Sequence, residues 1–231
     1  MRQIILHILC EGQTEDRFAN KVLKDYLKGF NIAVKTSILL TNRKKNIKGG
    51  MLNYQQAKND LELLIKQYSK RTYETHFFTT MFDLYALPNN FPDYVNAMKI
   101  QDCYERVKKI EKKFKEDINC DNFIPYIQLH EFEALVFCGL EHLLIDYPNM
   151  TKQIAVLQRI VEKYDNNTEK IDDSPQSAPS KRIIKEFEKF HNYDKAKSGL
   201  LVTSKVGIVE LKDKCQHFKE WIDKLENLSK F

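Results

Sequence analysis

The chain has 231 residues, 42% hydrophobic and 30% charged, and 37 Lys and Arg against 32 Asp and Glu give a net charge of +5. That length supports a single sizeable domain, or a core with an appended subdomain, and 7 Gly and 6 Pro are too few for a collagenous or largely disordered chain. The small positive excess permits a polyanionic partner without requiring one.

The five cysteines, Cys10, Cys103, Cys120, Cys138 and Cys215, show no CxxC or Cys/His zinc spacing. They read as reduced thiols of a cytoplasmic protein, mostly filling the core. No apolar run approaches the roughly 18 residues of a membrane span, and the N-terminal run meets acids too early for a signal peptide. A soluble cytoplasmic protein with no membrane contact is the expectation.

Residues 4–10 form a nearly continuous apolar run, the pattern of a strand buried on both faces. The run stops at CEGQTED, where Thr14 is placed to cap a helix and Glu15 and Asp16 suit its first turn. Phe18, Val22, Leu23 and Leu27 then recur at helical spacing, and Gly29 is a natural stop. Residues 31–40 read as a second strand. The basic stretch RKKNIKGG, residues 43–50, follows as a loop, and Tyr54, Ala57, Leu61, Leu64, Ile65 and Tyr68 mark the next helix. THFFTTMFD, residues 75–83, is aromatic and β-branched and reads as a strand. Pro92 is placed to open a helix carrying Cys103, Val107, Ile110 and Phe114 on one side. Residues 123–129 give a fourth strand, whose Pro125 implies a sheet edge.

This alternation predicts an α/β fold: a Rossmann-like, mainly parallel sheet flanked by helices over residues 1–140, with a helical C-terminal extension over 141–231 packed on the core. Residues 163–182 are polar and turn-rich and read as a long loop. The final helix presents Phe218, Trp221, Ile222 and Leu225 for docking on the core.

Three of the four predicted strands end in acids: Glu11, Asp83, and the pair Glu131 and Glu133 in HEFE. An acid after a strand is by itself ordinary, since carboxylates favour helix starts. In an open parallel sheet, however, all three positions lie at the carboxyl edge, where ligands bind. Carboxylates gathered there repel one another unless a cation neutralises them, and hard oxygen donors suit Mg²⁺ or Mn²⁺. Glu15 reads as serving the helix start, and Glu11 as the metal ligand.

The residues also resemble a known group. Glu11 after the first strand and Asp83 after the third resemble the Toprim pattern of topoisomerases, primases and OLD-type nucleases. CEGQTE, TTMFDLYALP, QLHEFEALVF, SAPSKR and CQHFKEW are similar to a Toprim-like family of uncharacterised bacterial proteins related to the RloB-like proteins of defence loci. The resemblance implies a Toprim-like core and Mg²⁺- or Mn²⁺-dependent phosphodiester hydrolysis of DNA or RNA. It also implies a partner ATPase of the ABC or AAA type and a role in phage defence. Glu11 would be a metal ligand or general base, Asp83 a metal ligand, and Glu131 or Glu133 a further ligand. The Toprim DxD departs here to Asp83-Leu84-Tyr85, and a tyrosine with a reference pKa of about 10 is a poor Mg²⁺ ligand. Glu133 is the preferred replacement, because His130 and Glu133, three residues apart, are spaced to share a helix face.

Four basic positions face the expected phosphate. Lys48, in the 43–50 stretch, can track a backbone beside its two glycines. Ser180, Lys181 and Arg182 open a helix after Pro179, whose N–H groups can take a phosphate. Lys205, before Val206 and Gly207, is placed to stabilise charge developing on phosphate. A solvated turn and an ordinary helix start account equally for the first two groups. GxxxxGK[ST], HExxH and GxSxG are all absent, which excludes those motifs of ATP hydrolysis, zinc proteolysis and serine hydrolysis. Two competing readings keep the same fold: a non-catalytic adaptor or nucleic-acid-binding subunit, which the Tyr85 departure favours, and a nucleotide sensor using the same crevice.

Overall fold

A computed structural model describes residues 3–42, 47–48, 51–68, 73–171, 177–188 and 192–230. Strand β1 (Gln3–Cys10) leads into a helix in three sections, α1 (Gln13–Phe18), a π-helical turn (Ala19–Leu23) and α2 (Lys24–Lys28). Strand β2 (Ile32–Ile38) returns beside β1, and a small ribbon, β3 (Leu40–Asn42) with β4 (Ile47–Lys48), follows. Helix α3 (Tyr54–Tyr68) crosses to strand β5 (Glu74–Asp83) on the other side of β1. A short α4 (Tyr94–Ala97) precedes α5 (Cys103–Ile118). The expected fourth strand is two pieces, β6 (Phe123–Ile124) and β7 (Ile127–Gln128), both parallel to β5.

All pairings in the main sheet are parallel, in the order β2-β1-β5-β6, with β7 also on β5. Side chains alternate across it, as the period of two requires. Leu6, Ile8 and Cys10 face one cluster, with Phe18 and Leu23. Leu9, Phe78 and Phe82 face the other, with Leu61 of α3 and Val107, Ile110 and Phe114 of α5. The apolar periodicity therefore has its expected outcome, an α/β fold with helices on both faces.

Two elements differ from the sequence expectation, a helix start and a strand. The long amphipathic helix opens not at Pro92 but at Asp102, whose carboxylate accepts the Glu105 N–H at 2.9 Å; residues 93–101 form turns and α4, with Asp93 left-handed at φ 57°. The split between β6 and β7 falls at Pro125, which has no N–H to give to a ladder.

After β7 come α6 (Glu133–Val136), a 3₁₀ segment (Phe137–Ile145), α7 (Thr151–Lys163), α8 (Pro179–Phe187), α9 (Lys195–Lys214) and α10 (Gln216–Glu226). In α10, Phe218, Trp221, Ile222 and Leu225 join the cluster of Leu6 and Ile8. Trp221 stacks on Tyr126 at 4.0 Å between centroids and donates its indole N–H to Thr79 Oγ1 at 3.0 Å. Among the described residues no helix is long and apolar enough to cross a membrane.

Candidate metal centre

The chain steps from β1 sideways to β2, then back past β1 to β5, so the strand order reverses between β1 and β5. Beyond the carboxyl ends of the strands, such a reversal opens a crevice. Glu11 follows β1 directly and Asp83 ends β5, one on each side of that opening. The Glu11 N–H donates to the Met81 carbonyl at 3.1 Å, and the Asp83 N–H donates to Glu11 Oε2 at 3.1 Å. The crossed bonds fix the two acid-bearing strand ends against each other.

Three more acids meet them. The N-cap of α1 is Gly12 rather than Thr14, and the Gly12 N–H donates to Glu15 Oε2 at 2.8 Å, the half of a capping box that the N3 side chain supplies. Glu15 serves the helix start as expected, yet it is buried and its charge also reaches Asp83. Glu131 enters from the segment between β7 and α6, and Glu133 from the start of α6. His130 does not share a helix face with Glu133: it precedes α6 and holds a left-handed backbone, φ 61°. Glu133 is brought in instead as the first residue of α6, 2% exposed, with Lys195 Nζ 3.5 Å from Oε1.

Burial and mutual repulsion set the protonation of this group. Burial, then the charges of Glu15, Glu11, Glu133 and Glu131, hold Asp83 well above the usual carboxylate range. Burial lifts Glu11 to about 7, against the pull of the Asp83 N–H. Burial also lifts Glu133 to about 7, with Lys195 opposing and Glu131 adding. Burial works against the charge of Lys195, but Glu133, Glu131 and Asp83 outweigh it and raise its pKa. Near neutral pH the group therefore retains protons that a cation would displace.

Asp83 Oδ1 is buried with no hydrogen-bond partner among the described residues. An unsatisfied carboxylate oxygen among other carboxylates is the donor type that suits a hard divalent ion. Among the described residues no three His, Cys, Asp or Glu side chains are already arranged to hold one. The donor types fit Mg²⁺ or Mn²⁺, and the side chains would have to draw together to hold such an ion.

The chain belongs to the DUF4276 family. The family model, described as a domain of unknown function, matches residues 10–226. Among curated proteins none matches the chain. Among solved structures, the C-terminal region of the OLD protein of Xanthomonas campestris pv. campestris is similar at 16% identity, over 95% of this chain and 96% of that one, with a TM-score of 0.39. A likeness at that level carries no functional weight here.

The basic residues fall differently from the acids. The side chain of Lys48 lies outside the described residues, as does most of the 43–50 stretch. The α8 N-terminus is occupied by the protein's own acid: the Ser180 N–H donates to Glu131 Oε2 at 3.1 Å. Ser180 thus orients a carboxylate at the place where the sequence points to a phosphate. Lys181 is exposed, and Arg182 Nε donates to the Ser177 carbonyl at 2.8 Å. Lys205 is exposed on α9, ten residues beyond Lys195, or about 15 Å along the axis at the usual helical rise. The cation that the fold brings to the acids is Lys195, in the first turn of α9 after the Asp194 N-cap. Its approach depends on Gly199, where an added Cβ would stand 2.9 Å from Phe132 and 3.1 Å from Thr14. In the sequence, Lys195 and Lys197 look alike, and only the docking of α9 separates them.

Proposed function

We propose that the chain is a divalent-metal-dependent phosphodiesterase acting on nucleic acid. The observation that carries this reading is the meeting of Glu11, Glu15, Asp83, Glu131 and Glu133 at the sheet's reversal point, with Asp83 Oδ1 buried and unsatisfied. Glu11 and Asp83 would hold Mg²⁺ or Mn²⁺, with Glu131 and Glu133 completing the set. The ion, when bound, supplies Lewis-acid stabilisation of the phosphoryl oxygens and an activated water. If Glu11 instead stays off the ion, its pKa of about 7 suits it to accept a proton near neutral pH. Lys195, half exposed beside Glu133, is the cation available to a phosphate once the ion neutralises the acids. The Toprim-like motifs support the substrate class, and they are also the basis for proposing a separate ATPase partner and a role in phage defence.

A non-catalytic adaptor of the same fold is the second reading. It draws on Tyr85 at the second DxD position and on the absence, among the described residues, of an assembled three-acid site. Cleavage of plasmid DNA, single-stranded DNA and structured RNA with Mg²⁺, Mn²⁺ or EDTA separates the two. Metal-dependent cleavage by the wild type, lost in an equally stable Asp83→Asn variant, is the expected result. Absence of cleavage under every condition favours the adaptor.

A further inference from the structure

The segment with Asp83 and the segment with Glu131 and Glu133 are joined twice by one residue pair. The Tyr85 N–H donates to the His130 carbonyl at 3.1 Å. Tyr85 Oη and His130 Nδ1 are 3.1 Å apart, with the rings 5.3 Å between centroids. Tyr85 is two residues beyond Asp83, and His130 directly precedes Glu131. His130 holds this position with a left-handed backbone, φ 61°, uncommon outside glycine and taken most readily by Asn, Asp and His. A backbone bond and a side-chain bond made by the same two residues hold the two acid-bearing segments at a defined spacing.

We propose that Tyr85 and His130 are positioning residues, a strut that sets the spacing of Asp83 from Glu131 and Glu133. The second DxD position would then contribute through geometry rather than as a ligand. The proposal rests on the metal-centre reading above. It does not require Tyr85 to touch ion or substrate. The backbone bond fixes the two segments in register, and the Oη···Nδ1 bond fixes their separation, so the acids can close around one ion without a prior search.

The test uses the full chain carrying Tyr85→Phe, His130→Ala, both together, and His130→Asn. Asparagine tolerates the left-handed backbone and offers a polar side chain near the position of Nδ1. Two quantities are read: amide hydrogen exchange at residues 83 and 85 without metal, and Mn²⁺ affinity by calorimetry. Tyr85→Phe and His130→Ala should each speed exchange and weaken Mn²⁺ binding about tenfold, a loss of about 1.4 kcal/mol. The double variant should be no weaker than either single one, as expected for two residues sharing one bond, and His130→Asn should restore most of the affinity. A merely structural role would give additive losses and no rescue. Unchanged exchange in Tyr85→Phe overturns the strut, and faster exchange with wild-type affinity overturns its role in positioning. If the wild type binds no Mn²⁺, the metal-centre reading and the positioning role fail together, and exchange alone then decides whether the strut exists.

Discussion

Replacing Glu133 by glutamine should stabilise the metal-free protein at alkaline pH and leave it unchanged in acid. Glu133 is 2% exposed, and burial raises its pKa from 4.5 to about 7. The folded state therefore holds a proton that the unfolded chain releases between those two values. Over that window the unfolded state binds fewer protons, so stability falls as pH rises from about 4.5 to about 7, then levels off. At about 1.4 kcal/mol per pH unit, ionising this carboxyl in place costs the fold about 3 kcal/mol at pH 8. Glutamine keeps the shape and removes the charge, at the loss of the ion pair to half-exposed Lys195. In a chain of this size the gain corresponds to a midpoint roughly 6–12 °C higher at pH 8, with no gain at pH 4. Urea and thermal unfolding with EDTA at both pH values measure it. An equal effect at the two pH values, or destabilisation at pH 8, refutes the assignment of Glu133 to a strained acid cluster.

Other perturbations probe the scaffold and the cation. Gly199→Ala would press a methyl group into Phe132 and Thr14, so α9 must shift; chemical denaturation should show a loss of about 1–3 kcal/mol. Gly207 interrupts α9 at φ 77° and ψ 161°, a region almost closed to other residues, although space is open around it. Gly207→Ala should therefore cost about 2 kcal/mol through backbone strain alone, visible as a lower denaturation midpoint without any change in the packing of Val206. Lys195→Met removes a charge that lowers the pKa of both Glu133 and Glu11, so ¹³C NMR of the carboxyl carbons should show both titrating at higher pH. Unmoved titrations would place Lys195 elsewhere.

What could be read from the sequence follows a physical division. The buried strands announced themselves as short apolar runs, and α3 by its spacing from Tyr54 to Tyr68. The acids at the strand ends were legible because a parallel sheet carries its strand ends to one edge, and that edge is where Glu11 and Asp83 meet. Local rules failed where tertiary contacts decided. Gly12 replaces Thr14 as the cap because Glu15 reaches back to its N–H. The α8 N-terminus meets Glu131 of the same chain instead of a free anion, across 49 residues of sequence. Lys195 is selected over Lys205 by where α9 touches Phe132 and Thr14, which no local pattern encodes. The spacing of His130 to Glu133 predicts a shared helix face, but His130 takes a left-handed backbone and bonds Tyr85, 45 residues away in sequence.

The most direct test of the central claim is Mn²⁺ titration of the wild type and of Asp83→Asn by calorimetry, in two buffers of different ionisation enthalpy at pH 7. The acid cluster predicts one saturable site, proton release as Glu11 and Glu133 give up protons held at a pKa of about 7, and affinity at least about tenfold weaker in the variant. Equal affinity in the two proteins, or no binding by the wild type, would contradict a metal centre built on Asp83.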